Sequence, residues 1–242
     1  MAAGAGDVAR KGADQAGSRG TGEAHVPAGR WFWLAWVLAS VAAGIVGLAI
    51  MAETPPFEVG VARSGDPTDT TGYSVAWAVI LGGLLCGATL GGVQRRLLRR
   101  RLAPLAGWTP ASAAGFALGF TAVWALAGAA HGAAYGHHAV PHAVDGAGTP
   151  GGALLGAAFG AAQWLVLRRR VARAGWWVPA NAAGFAAGWA LAAAAPVDGV
   201  PAHFTGGAIF GAVLGLLTGG ALVWLLAHVP RPTGAHEPTR AG

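Results

Sequence analysis

Charged residues are scarce in this sequence. Asp, Glu, Lys and Arg make up 11% of the 242 residues, against about 25% in an average soluble domain, while hydrophobic residues make up 54%. This composition excludes an ordinary soluble domain and predicts an integral membrane protein. The net charge of +6 is not accompanied by a polar domain with a basic face, so we expect no nucleic-acid partner.

Cysteine and the common catalytic signatures are also missing. Cys86 is the only cysteine, which excludes an intrachain disulfide and a cysteine-based metal site. The chain has no Gly-x-Ser-x-Gly, His-Glu-x-x-His or phosphate-loop motif, and no pair of carboxylates on one helix face. We therefore expect neither an enzyme nor a cofactor, and we interpret Cys86 as a small core residue.

Six apolar segments reach or approach the roughly 20 residues that a helix needs to cross the hydrocarbon core of a bilayer. None contains Asp, Glu, Lys or Arg, and they cover 31–51, 74–93, 108–130, 151–167, 177–195 and 204–227. The sequence thus predicts an all-α integral membrane domain of six transmembrane helices over 31–229. Polar, Gly- and Ala-rich tails at 1–30 and 230–242 are predicted to be disordered, and no apolar run precedes Trp31, so the first span is expected to be uncleaved.

The basic residues alternate between the connections that join these segments. Four precede the first span, five follow the second, four follow the fourth and two follow the sixth, whereas the other connections contain only Arg63. By the positive-inside rule, both termini and the arginine-rich turns are cytoplasmic, in the inner (cytoplasmic) membrane. We interpret the tryptophans near this boundary as lipid anchors; they are Trp31, Trp33, Trp108, Trp164, Trp176, Trp177 and Trp224.

The chain repeats itself. A shift of 69 residues places WTPASAAGFALGF (108–120) on WVPANAAGFAAGW (177–189), and it places Gly83, Gly87, Gly91 and Gln94 on Gly152, Gly156, Gly160 and Gln163. A third copy has Gly207, Gly211 and Gly215, with Leu214 taken as the counterpart of Gln163, and WVLAS (36–40) matches the start of the other odd helices. These matches predict three parallel αα-hairpin repeats, about 31–102, 103–172 and 173–229, around a pseudo-threefold axis along the membrane normal.

Glycines four residues apart lie on one face of a helix and allow close helix packing in a bilayer. This glycine-zipper pattern predicts packing roles, within the bundle or between copies, for Gly83, Gly87, Gly91, Gly152, Gly156, Gly160, Gly207, Gly211 and Gly215. Gln163 lies on or beside the same stripe, as does Gln94, and an unpaired amide facing lipid would be costly. We therefore predict a polar stripe in which Asn181 pairs with Gln163 and Ser112 pairs with Gln94.

The motif Gly-x3-Gly-x2-Gln-Trp-Leu-x-Leu-Arg, followed by an arginine-rich turn and Trp-Trp, occurs at 156–181, with a weaker copy at 87–112 in which Arg95 replaces the tryptophan. In these residues the chain resembles a widespread group of uncharacterised bacterial polytopic membrane proteins. The resemblance covers about 74–227 and implies a membrane architecture. It implies no activity.

A histidine-rich segment, HGAAYGHHAVPHAVDGAG, follows the third predicted span. Imidazoles suit Zn, Cu or Ni, so His131, His137, His138 and His142, with Asp145 nearby, are candidate metal ligands. Their spacing matches no strict zinc signature. A solvated loop is therefore favoured over a metal site.

Three functions remain open from the sequence. The favoured one is a structural or interaction protein packed through its glycine-rich faces, with membrane lipids and a homo-oligomer as the expected partners. The second is a channel or transporter for a small neutral solute along the polar stripe, although the lack of charge inside the spans argues against ion coupling. The third is an outward-facing metal-binding sensor built on the histidine segment.

Overall fold

The computed structural model describes residues 29–53, 71–102, 105–135, 143–196 and 200–228. These residues form six α-helices and no strand, so the predicted all-α class is confirmed for this part of the chain. One turn of 3₁₀ helix, Ala174–Trp176, leads into the fifth helix. The helices are α1 (Arg30–Glu53), α2 (Thr71–Leu98), α3 (Trp108–Tyr135), α4 (Ala143–Leu167), α5 (Trp177–Ala193) and α6 (Val200–Ala227).

Within the described ranges, four helices are long and apolar enough to cross a membrane. The four stretches are Arg30–Ile50 in α1, Trp108–Leu126 in α3, Gly148–Leu167 in α4 and Phe204–Ala227 in α6. The 17 residues of α5 rise only about 26 Å, less than the ~30 Å hydrocarbon thickness. The chain is therefore a membrane protein with four candidate spans, and spans at α2 and α5 stay predictions.

The fourth helix begins earlier than the sequence predicts, but it is broken. Helical structure starts at Ala143, yet Gly148 has φ 38° and ψ −138°, and Pro150 follows. Glycine tolerates this left-handed conformation at low steric cost, and proline is favoured in the first turn of a helix because its missing N–H needs no partner there. The straight part of α4 thus starts close to residue 151, where the apolar segment was predicted to begin.

The helices form a closed ring in chain order. Each helix packs against the next one along the chain, and α6 packs against α1. The indole of Trp36, near the start of α1, hydrogen-bonds to Thr218, near the end of α6, so odd-numbered helices begin where even-numbered helices end. We call this end of the bundle, which includes the turns at 99–102 and 168–173, the arginine end.

Large apolar side chains occur both inside this bundle and on its perimeter; Trp36 and Phe159 are fully buried, whereas Leu118 is 70% exposed and Leu126 is 61% exposed. Six uncharged polar side chains also lie inside and are at most 1% exposed: Ser40, Gln94, Ser112, Gln163, Asn181 and Thr218. An exposed apolar perimeter of this extent is unfavourable in water and is expected in lipid.

Candidate functional site

The predicted packing glycines lie at the contacts between each even-numbered helix and the next odd-numbered one. A methyl group at Gly87 would lie 2.5 Å from the Ser112 carbonyl oxygen, and one at Gly156 would lie 2.5 Å from the Asn181 carbonyl oxygen. Gly211 of α6 is packed against the Ser40 carbonyl of α1 in the same way. These backbones are too close for any side chain, so the three interfaces require glycine.

The other six predicted packing glycines border the same interfaces. Gly83 and Gly91 face α3, Gly152 and Gly160 face α5, and Gly207 and Gly215 face α1. All of these contacts are made within one chain. Two further glycines, Gly92 and Gly220, would have open space around an added methyl group, and they provide matched controls on α2 and α6.

Gln163 is the centre of a buried hydrogen-bond network near the arginine end. Its Nε2 donates to Gln94 Oε1 and to Ser112 Oγ, both at 2.8 Å. Its Oε1 accepts a hydrogen bond of 2.8 Å from Trp177 Nε1. Both amide protons and the carbonyl oxygen of this residue are therefore satisfied, and the network joins α2, α3, α4 and α5.

The predicted pairing of Ser112 with Gln94 and of Asn181 with Gln163 is wrong. Ser112 accepts from Gln163 and donates to the Trp108 carbonyl oxygen at 2.8 Å. Asn181 Nδ2 donates to the Trp177 carbonyl oxygen one helical turn earlier, at 2.8 Å. The amide of Gln163 reaches across the bundle to α2 and α3 instead, which leaves Gln94 Nε2 and Asn181 Oδ1 without hydrogen-bond partners.

The lipid-anchor interpretation is wrong for Trp108 and Trp177, which are 0% exposed, as is Trp36. The ring centroids of Trp36 and Trp108 each lie 6.1 Å from that of Trp177. A buried indole N–H usually has an acceptor, and Gln163 provides one for Trp177, whereas Trp108 Nε1 has none. By contrast, Trp31 and Trp176 are 71% and 62% exposed, in keeping with a position facing lipid.

Thr218, not Leu214, is the counterpart of Gln163 in α6. Thr218 lies three residues after Gly215, as Gln163 lies three residues after Gly160. Its Oγ1 accepts from Trp36 Nε1 at 3.0 Å and donates to the Leu214 carbonyl oxygen at 2.6 Å. A hydroxyl group thus supplies the acceptor that the glutamine carbonyl supplies to Trp177.

The arginine end of the bundle is closed by apolar packing. The three buried tryptophans belong to one continuous cluster that also contains Leu98, Leu105, Leu167, Val171, Leu222 and Leu225. Gln94 and Gln163 are hydrogen-bonded within this layer and are not exposed to a path along the axis. The layer therefore separates the turns at the arginine end from the middle of the bundle.

Beyond this layer lies a central cavity of about 460 Å³, to which all six helices contribute. Aromatic and aliphatic side chains form most of its wall, including Phe116, Phe120, Leu155, Trp189, Phe210 and Leu214. Among the described residues of the lining, only Ser40 carries a hydroxyl group, and its Oγ is buried without a hydrogen-bond partner. Cys86 also borders the cavity, with its Sγ 3.6 Å from the Gly47 carbonyl oxygen.

The histidine group proposed as a metal site is not tested by this structure. His137, His138 and His142 lie outside the described residues, and the side chain of His131 is likewise not described. Among the residues that are described, no three His, Cys, Asp or Glu side chains are grouped so that they could hold a metal ion.

No protein-family model, curated protein or solved structure matches this chain.

Proposed function

We propose that this chain is a structural or interaction protein of the cytoplasmic membrane, with six spans in three hairpin repeats and both termini in the cytoplasm. The observation that supports this proposal most is the perimeter of exposed large apolar side chains around an interior that also holds uncharged polar side chains. The proposal includes no catalytic step, cofactor or metal. The expected surroundings of the perimeter are lipid chains.

The contacts at the glycines support the repeat part of the proposal. Gly87, Gly156 and Gly211 each meet the carbonyl oxygen of the residue that follows a buried tryptophan by four positions, namely Ser112, Asn181 and Ser40. Three interfaces that agree at this level of detail are expected from three related hairpins. They also use the glycine faces inside one chain, so oligomerisation through the same faces is not part of the proposal.

The solute-conduit alternative receives less support. Its basis is the polar stripe of Gln94 and Gln163, and neither side chain lines the central cavity. The cavity wall offers little to replace the hydration of a polar solute, and three indoles fill the layer at the arginine end. We therefore favour a bundle that is closed to polar solutes.

Cysteine labelling tests the proposed topology. In a Cys86→Ser background, Ala172→Cys places a thiol in the exposed turn after α4, and Asp66→Cys places one between the first two predicted spans. We expect a membrane-impermeant maleimide to label Asp66→Cys in intact spheroplasts and Ala172→Cys only after permeabilisation, because arginine-rich turns stay cytoplasmic. The reverse pattern, or labelling of both sites in intact cells, would contradict the topology.

A further inference from the structure

The central cavity lies beside positions at which the first hairpin has small residues. When Trp36, Trp108 and Trp177 are aligned, Gly44 of α1 corresponds to Phe116 of α3 and to a second phenylalanine, Phe185, of α5. The rings of the two phenylalanines meet edge to face, with centroids 6.0 Å apart. Gly44 adds no ring to this cluster, because α1 packs there against the backbone of α6 at Gly207 and Gly211.

The same difference occurs one helix later. Aligned by the glycine spacing, Cys86 of α2 corresponds to Leu155 of α4 and Phe210 of α6, and all three line the cavity. The first hairpin thus has a glycine and a cysteine where the other two have larger side chains. The first hairpin therefore presents less side-chain volume beside the cavity than the other two hairpins do.

The chemistry of the wall defines what it can hold. A volume of about 460 Å³ falls within the range of roughly 300–1,000 Å³ that is typical of small-molecule sites. Among the residues that the structure describes, the lining contains no Asp, Glu, Lys, Arg or His, so a charged ligand would lose its hydration without compensation. The cavity is partly open, so an apolar molecule can enter it, and an apolar wall favours such a molecule over water.

We propose that the cavity binds one uncharged, mainly hydrocarbon molecule, which the aromatic and aliphatic side chains of its wall contact. The chain of a membrane lipid and a free apolar compound share this chemistry. The inference goes beyond the proposed function and uses only its repeat register.

Thermal unfolding of the purified chain in detergent, titrated with dodecanol, tests the proposal. We expect a saturable rise in Tm, because a ligand that binds the folded state stabilises it. The rise in Tm is expected to disappear in Gly206→Leu, which puts a side chain into the cavity. A methyl group at Gly206 would lie 3.6 Å from Leu48 Cδ1, which is an ordinary van der Waals contact. Cys86→Leu is a second filling variant, and Gly220→Leu, at the arginine end, is the control that retains the response.

Ser40→Ala is a second control. The Ser40 Oγ atom is buried on the side of α1 that faces Gly215, so this variant is expected to retain the response to dodecanol. A Tm that does not saturate, or an equal rise in both filling variants, would overturn the proposal and leave the topology and the repeats unaffected. Native mass spectrometry identifies the source: a copurified phospholipid displaced by dodecanol indicates a lipid chain, and dodecanol binding to a lipid-free chain indicates a free compound.

Discussion

Gly211→Leu is expected to separate α6 from α1 and to lower the free energy of unfolding by at least about 3 kcal/mol. Any side-chain atom at this position meets the Ser40 carbonyl oxygen, and a methyl group would also lie 2.7 Å from Val41 Cα. Backbone atoms cannot rotate away as a side chain can. The helices would therefore have to move apart along the contact that closes the ring.

The matched control is Gly220→Leu on the same helix, where an added methyl group meets nothing within 4 Å. Unfolding of the detergent-solubilised protein, followed by circular dichroism, is expected to show no loss of stability for this variant. Gly220→Ala is expected to stabilise α6 by about 0.5–1 kcal/mol, whereas Gly211→Ala is destabilising. Equal effects at the two positions would show that the glycine contact is not needed.

Gln163→Leu is the second large effect, with an expected loss of about 2–5 kcal/mol in the free energy of unfolding. Leucine would leave two buried groups without partners, the Trp177 indole N–H and the Gln94 carbonyl oxygen. Gln94→Leu is expected to be milder, since it also removes an amide nitrogen that already has no partner. The same unfolding assay measures both variants and the double variant.

The indoles give an independent check on this network. Trp177→Phe breaks the hydrogen bond to Gln163, whereas the Trp108 Nε1 atom has no partner to lose. The loss for Trp177→Phe is therefore expected to exceed that for Trp108→Phe by about 1 kcal/mol or more, although both rings are fully buried. A larger loss for Gln94→Leu than for Gln163→Leu, or equal losses for the two tryptophans, would contradict the hydrogen-bond assignment.

The helical class and the glycine stripes were accessible from the sequence because both depend on local spacing. Apolar runs predict helices, and glycines four apart share a face whatever the neighbouring helix is. Local spacing does not identify the helix against which each glycine face packs. The sequence left open whether Gly156 and its equivalents pack within one chain or between copies, since that choice depends on how the helices are arranged in the ring.

The direction of a side chain around its helix was less predictable. Trp176 and Trp177 are adjacent and lie at the same depth, yet one is 62% exposed and the other 0%. The second ring packs against Trp36 and Trp108 and donates to Gln163, all of which belong to other helices. Aromatic residues at a membrane boundary therefore suit both lipid and a buried network, and local sequence does not separate the two roles.

Thr218 was missed because the counterpart of Gln163 was counted from Gly211, which leads to Leu214, and not from Gly215. The register three residues after Gly215 places a threonine hydroxyl where the other helix has a glutamine carbonyl. The cavity was not predicted because its wall comes from all six helices, and their arrangement is not visible in local sequence.

Closure of the ring within one chain is the central feature of this structure, and oxidative cross-linking of α1 to α6 tests it directly. The double variant Ser40→Cys and Gly215→Cys is made in a Cys86→Ser background. In the present geometry its two Cβ atoms would lie 2.9 Å apart. A shift of about 1 Å would give them the Cβ–Cβ spacing of a disulfide. Oxidation in native membranes is expected to give an intrachain cross-link, with Ser40→Cys and Gly220→Cys unlinked as the control. A covalent dimer formed through the first pair would show instead that the glycine face of α6 meets α1 of another copy.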